Sequence, residues 1–295
     1  MPVIFVLASD YSGSHLLARL LGAHERCADI GELARLRKFL ARPGGNRAGT
    51  EAAYATSALF AELPRRPESE WHGLLRERLA AHGEPVEVLV DNSKRVSWTR
   101  RLVAAGAVEA RCVHLLRDPR ALARRWRDNF RSEGTARRVR LREAGRDWRR
   151  APAILAGPEM AVYARRWLRE NAAIDAFLAE AAPSAPRLAY EELLARPRQT
   201  LAELMPRLGL AFDPGQLDAR RGRSLGTRKT AWEGVVLGAP DERWLAETTA
   251  DERAAVEGVA PLRAQLAGFG FEMGARGLVR CARPADHEAA AEVRP

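Results

Sequence analysis

Lysine is nearly missing from this sequence. Only Lys38, Lys94 and Lys229 occur in 295 residues, although Lys and Arg together number 48 and the net charge is +10. No lysine lies near the strand–turn–helix pattern at residues 3–21. The Gly-x-x-x-x-Gly-Lys-Ser/Thr phosphate loop is therefore absent, which argues against a P-loop nucleotide kinase. Cysteine is scarce too. Cys27, Cys112 and Cys281 are odd in number and far apart, and fit neither a disulfide framework nor a zinc site. They read as core or surface thiols of a reducing compartment. No run approaches the ~20 apolar residues of a membrane span. The first residues lack a basic region followed by a long apolar core and cleavage site, which predicts no export and a cytoplasmic location. Aromatics make up only 6%.

What is present suffices for a sizeable core, with 46% hydrophobic residues in a chain long enough for one large α/β domain or two small ones. Val3 to Leu7 is a short apolar run rich in β-branched and aromatic residues, as a strand buried on both faces requires. Ala8 to Ser14 is a turn of small and polar residues, and Leu16, Leu17, Leu20 and Leu21 then recur at helical spacing. Strand, tight loop and helix together deliver hydroxyls and unpaired backbone N–H groups to a helix N-terminus, a ready anion site.

Further strands are expected at Val86–Val90 and Arg111–Leu116, with a last one starting at Arg187 and running into a helix. Between the first two strands, helical patterns over 34–42, 51–62 and 70–82 are broken by Pro43-Gly44-Gly45 and by Pro64 to Pro67. They read as a cap or acceptor-side wall. Asp91-Asn92-Ser93-Lys94 follows the second strand; it faces the ligand crevice of an open parallel sheet or simply caps a helix at 95–105. Arg117-Asp118-Pro119-Arg120 follows the third. A guanidinium at a strand's carboxyl end suits a phosphate, Pro119 suits a helix's first turn, and Asp118 can cap that helix or hold an arginine. From Arg117 to Arg150, thirteen arginines face five acids. Such a patch can meet nucleic acid, an anionic membrane or a small polyanion, and its three aromatics make nucleic acid the weaker choice. Residues 130–158 read as an irregular insertion or lid, or as a solvated basic face. A core helix is expected at 159–181, His114 reads as a core histidine, and a helix at 250–267 leads to Phe269-Gly270-Phe271.

Several of these elements resemble the sulfotransferases that use 3′-phosphoadenosine 5′-phosphosulfate, in their bacterial or Golgi-like branch. Tyr11-Ser12-Gly13-Ser14-His15-Leu16-Leu17 is similar to the family's 5′-phosphosulfate loop, with Tyr11 where a cation is usual and His15 where a hydroxyl is usual. Asp91-x-Ser93-Lys94 resembles a bacterial element whose lysine points at the transferred group. Arg117 to Arg120 resembles the 3′-phosphate site, with Arg125 where the family has a serine. Tyr190-Glu191-Glu192-Leu193, then Pro197 and Leu208-Gly209-Leu210, resembles a segment whose tyrosine lies beside the adenine. The Arg223–Lys229 loop stands where the family closes over the 3′-phosphate end.

The resemblance spans about residues 3–272. It implies an α/β fold with a P-loop-like parallel β-sheet flanked by helices, helix-rich, with cap insertions. One domain over 1–273 is expected, then a flexible tail over 274–295. The implied reaction moves a sulfuryl group from 3′-phosphoadenosine 5′-phosphosulfate to a hydroxyl or amine of a small-molecule or glycan acceptor, leaving 3′-phosphoadenosine 5′-phosphate and requiring no metal. Tyr11, Ser12, Gly13, Ser14, His15 and Leu16 would take the 5′ end; Arg117, Arg125, Arg228 and Lys229 the 3′-phosphate; Tyr190 the adenine. Lys94 would replace the missing loop cation, helped by His15. Glu32 is the chosen base, with His15 and Asp91 behind it. The alternatives are a homologue that binds the nucleotide but has lost transfer, and a polyanion or nucleic-acid binder using the Arg117–Arg150 patch. Acceptor identity and assembly, a homodimer included, are left open.

Overall fold

The computed structural model describes residues 1–41, 54, 57–131, 133–218, 221, 225, 237–239 and 241–281. The chain divides into two compact units, Met1–Leu116 with Arg169–Ala239 and Arg117–Leu168 with Pro240–Pro295.

The first unit is built on a parallel sheet in the order β2-β3-β1-β4-β5, comprising β1 (Pro2–Ala8), β2 (Cys27–Gly31), β3 (Val88–Asp91), β4 (Glu109–Leu116) and β5 (Arg187–Ala189). Central β1 pairs with β3 on one side and β4 on the other. Its apolar run is continuous because both faces are covered. Ile4, Val6 and Ala8 join α1 (Ser14–Gly22), α9 (Tyr190–Ala195) and α10 (Pro197–Arg207) in one core cluster. Val3, Phe5 and Leu7 join a second cluster with Trp71, Leu75 and Leu79 of α3 (Trp71–Ala81), and Trp98 and Leu102 of α4 (Val96–Ala104). The period-2 alternation of side chains assigns odd and even positions to opposite layers.

α2 (Leu36–Leu40) is short, and 57–62 are turns where a helix was expected; most of the rest of that expected helix lies outside the described residues. β2 is not among the strands expected from the sequence. Asp29 and Gly31 interrupt its apolar pattern, and the register slips there as Asp29 Oδ1 accepts from the Gly31 N–H.

The second unit holds α5 (Pro119–Asn129), α6 (Glu133–Arg146), α7 (Ala151–Ala156), the start of α8 (Glu159–Ala181), then α11 (Arg243–Ala246), α12 (Ala250–Glu257), α13 (Leu262–Gly268) and a hairpin of β6 (Phe271–Met273) and β7 (Leu278–Arg280). Residues 130–158 are thus largely helical rather than irregular. Arginine is a good helix former, and charge density there gave no information about backbone order. The helix expected at 250–267 is two helices, interrupted at residues 258–261. Leu278–Arg280 pair antiparallel with Phe271–Met273, so ordered structure extends past 274. Among the described residues no helix is long and apolar enough to cross a membrane.

Candidate active site

In the first unit the site grows from the carboxyl ends of β1, β2 and β3. After Ala8 the chain turns through Ser9–Gly13. Ser12 N–H donates to Ser9 O at 3.3 Å, and Tyr11 and Gly13 take left-handed backbone with φ of 72° and 88°. Ser12 and Ser14 are buried, and Tyr11 is 42% exposed. α1 then starts with neither a side-chain cap nor an acid in its first turn, so its positive end is left for an external anion. Gly13 is required on two counts. A Cβ there would sit 2.2 Å from Tyr190 Cδ2, and φ is one that L side chains seldom adopt. Tyr190, expected beside an adenine, here packs its buried ring against Gly13. Leu16 belongs to the core beneath the loop.

The tetrapeptide after β3 divides its work. Asp91 is fully buried; its Oδ1 accepts from Ser93 N–H at 2.8 Å, while its Oδ2 meets Trp98 Nε1 at 2.9 Å and His72 Nε2 at 3.0 Å. That makes Asp91, an alternative base on sequence grounds, a strut. Asn92 Nδ2 donates to His15 Nδ1 at 3.0 Å, and Asn92 N–H to Gly31 O at 2.8 Å. Ser93 Oγ accepts from Ala34 N–H at 2.9 Å, tying this turn to the one after Glu32. Lys94 has φ 61°. Tyr11 and Lys94 are the two non-glycine residues with left-handed backbone among those described. Such conformations cost ~1–3 kcal/mol and persist where surroundings over-determine them.

Glu32, Lys94 and His15 do come together. Lys94 Nζ lies 2.5 Å from Glu32 Oε1, and His15 Nε2 donates to the same oxygen at 3.1 Å. Arg35 reaches Glu32 Oε2 at 3.0 Å and Asp10 at 3.7 Å. The Lys94 and Glu32 side chains are 6% and 8% exposed. Burial would raise the Glu32 carboxyl, but the His15 hydrogen bond and the charges of Lys94 and Arg35 outweigh it and hold Glu32 well below the usual carboxylate range. Lys94 also lines a cleft of about 280 Å³ with Asp10, Ser93, Arg95, Arg169 and Glu170. Behind the site His114 is a core residue, bonded to Asn171 at 2.9 Å and pushed down to about 4 by burial. Cys27 and Cys112 are buried thiols raised to about 12 by desolvation, protonated and inert.

Sequence reasoning missed Arg35 and the use of Asn92 to orient His15. Arg35 carried a signal, three residues past Glu32 in the same turn. In the second unit, Arg117 donates to Asp241 Oδ2 at 2.9 Å, a partner 124 residues away that nothing in the sequence announces. Asp241 is held below its ordinary range: burial opposes this, but the Arg243 hydrogen bond and the Arg117 charge prevail. Trp167 Nε1 donates to Arg117 O at 3.0 Å. Asp118 caps α5 and grips Arg120, which also reaches Glu257 and Gly274 O and stacks on Trp244. Arg125 is exposed on α5. Arg228 and Lys229 lie outside the described residues. Among the described residues no three His, Cys, Asp or Glu side chains converge as metal ligands.

The sulfotransferase family model matches residues 2–214, more than two thirds of the chain. The chain belongs to the sulfotransferase family. Its fold is similar to that of the sulfotransferase domain from the curacin biosynthetic pathway, at 18% identity and TM-score 0.55, covering 90% of this chain and 98% of that one. It is also similar to the sulfotransferase domain from the Synechococcus PCC 7002 olefin synthase, at 19% identity and TM-score 0.57, covering 87% and 94%. No curated protein matches the chain in sequence. In this sulfotransferase-family chain, the cluster of Glu32, Lys94 and His15 lies beside the first turn of α1.

Proposed function

We propose that this chain transfers a sulfuryl group from 3′-phosphoadenosine 5′-phosphosulfate to a hydroxyl or amine of a small-molecule or glycan acceptor. The observation that carries the reading is the buried Lys94–Glu32 pair at the mouth of an uncapped, acid-free helix N-terminus. The donor fits what is there. Backbone amides of 12–16 and the Ser12 and Ser14 hydroxyls suit its 5′ end; Arg117 and Arg125 are assigned its 3′-phosphate, and Arg228 and Lys229 with them.

In the reaction the acceptor oxygen or nitrogen attacks sulfur, the bond from sulfur to the bridging phosphate oxygen breaks, and its electron pair stays on the 5′-phosphate. Lys94 supplies the cation for that developing charge, the role a loop residue would have where Tyr11 stands. Glu32 takes the acceptor's proton. While paired with Lys94, Arg35 and His15 it is a weak base. When Lys94 turns to the sulfuryl group, Glu32 loses its nearest cation and regains basicity, so donor binding arms the base. His15, oriented by Asn92, keeps the carboxylate in place. Buried, unpaired thiols at Cys27 and Cys112 suit a cytoplasmic setting.

The test is release of 3′-phosphoadenosine 5′-phosphate, followed chromatographically with a panel of phenols, sugars, sterols and amines. Acceptor-dependent release that falls ~10²–10³-fold in Lys94→Met supports the reading. Wild-type protein that binds the donor but turns over none of the panel favours the homologue without transfer, for which Tyr11 in the cation's place is the motive.

A further inference from the structure

The reaction proposed above assigns no step to the arginine-rich hairpin of the second unit. From Glu133 to Ala156 the chain holds Arg137, Arg138, Arg140, Arg142, Arg146, Arg149 and Arg150 against Glu133, Glu143 and Asp147. Glu143 and Asp147 are engaged within the hairpin. Glu143 is buried and pairs with Arg146 at 3.3 Å, and Asp147 accepts from Arg150 N–H at 3.3 Å. Arg140 is committed as well, donating to the carbonyls of Ile154, Leu155 and Gly157 at the end of α7. Arg137 and Arg142 have no carboxylate partner among the described residues and stand exposed on α6.

The apolar residues behave unexpectedly for a merely solvated basic face. Ala144, Ile154 and Val162, with Val139 and Ala151, form a small core of their own. Leu141, Trp148 and Leu155 are left out of it, at 50%, 75% and 46% exposure. Trp148 is the most exposed large hydrophobic side chain described, and these three are half of all such residues. Leu141 lies on α6 and Trp148 in the separate turn that follows it, and α7, which carries Leu155, packs against both α6 and the turn at Trp148–Arg150. The Arg149 guanidinium lies over the Trp148 ring at 5.5 Å.

We propose that the α6–α7 hairpin docks on an anionic lipid bilayer. A phosphate-bearing polymer in water gains nothing from two half-exposed leucines. At a bilayer interface the indole sits at headgroup depth, leucines enter the acyl boundary, and guanidinium groups remain with lipid phosphates and carboxylates. A surface that is acidic above and apolar below accounts for the charge and the apolar exposure together.

The experiment is sedimentation of the full chain with phosphatidylcholine vesicles, with and without phosphatidylserine, and with bromine-labelled acyl chains to quench tryptophan emission at depth. Among the described tryptophans Trp148 alone is exposed, and the Trp148→Phe variant isolates its share of the quenching. Expected are binding that requires phosphatidylserine, quenching by brominated chains that Trp148→Phe largely abolishes, and a ~100-fold weaker affinity in Arg137→Gln/Arg142→Gln/Arg149→Gln at about fivefold per arginine. Leu141→Ser/Leu155→Ser, both at exposed positions, should bind weakly while keeping the wild-type melting temperature. No preference for phosphatidylserine overturns the proposal. So does salt-sensitive binding to vesicles and heparin alike without bromine quenching, which identifies a polyanion or acidic-protein surface.

Discussion

The Lys94–Glu32 pair makes a demanding prediction because both partners are more than nine-tenths buried. Replacing Glu32 by Gln keeps shape but leaves the Lys94 ammonium without its carboxylate and the Arg35 guanidinium with Asp10 at 3.7 Å. Orphaning one member of a buried pair costs about 3–5 kcal/mol, whereas a solvent-exposed pair is worth at most ~1 kcal/mol. At about 2–4 °C per kcal/mol, Glu32→Gln should melt roughly 10 °C below wild type at neutral pH. Lys94→Met should be similarly impaired, and the double variant should lose less than the sum, with a coupling of ~1–3 kcal/mol. The pH dependence has a defined sign. Glu32 is depressed in the folded protein, so its contribution is complete above the unfolded value of about 4.3 and is lost as pH falls below that. The gap between wild type and Glu32→Gln should therefore hold from neutral pH to about 5 and close in acid. Urea titrations across pH, with the four proteins of the cycle, provide the assay. Single variants within ~1 kcal/mol of wild type, or strictly additive effects, would refute the buried-pair reasoning.

Other expectations follow from particular contacts. Gly13→Ala meets the Tyr190 ring and a left-handed φ together, and should destabilise by about 1–3 kcal/mol and abolish nucleotide binding, read by melting and calorimetry. Ser93→Ala removes the acceptor for the Ala34 N–H; a lowered turnover with unchanged donor affinity is expected, and equal loss of both would contradict a role confined to placing Glu32 and Lys94. His114, buried at about 4 against 6.5, should make the protein lose about 3 kcal/mol as pH falls from about 6.5 to about 4, a slope that His114→Leu flattens in urea titrations.

Much of the fold was legible because buried parallel strands announce themselves. The Val3–Leu7 run, Arg111–Leu116 and the helix at 159–181 stand almost where periodicity put them. β2 was not legible as a strand, since Asp29 and Gly31 serve a bulge rather than an apolar face. The 130–158 stretch misled because arginine reports charge and says little about backbone. Within the site, Glu32, Lys94 and His15 were nameable because each sits just past a strand or at a helix start, where parallel sheets present ligands. The Asp91 role was hidden. A carboxylate after a strand looks the same whether it faces substrate or, as here, takes His72 and Trp98 from two helices. Asp241 beside Arg117 was beyond reach for another reason, since long-range pairing leaves no local pattern.

The account rests on the nucleotide, and calorimetric titration with adenosine 3′,5′-bisphosphate, against 5′-AMP and ATP, tests it most directly in wild type and Arg117→Ala. It predicts tight binding that requires the 3′-phosphate and collapses in the variant. Equal affinity for 5′-AMP, or binding indifferent to Arg117, would contradict it.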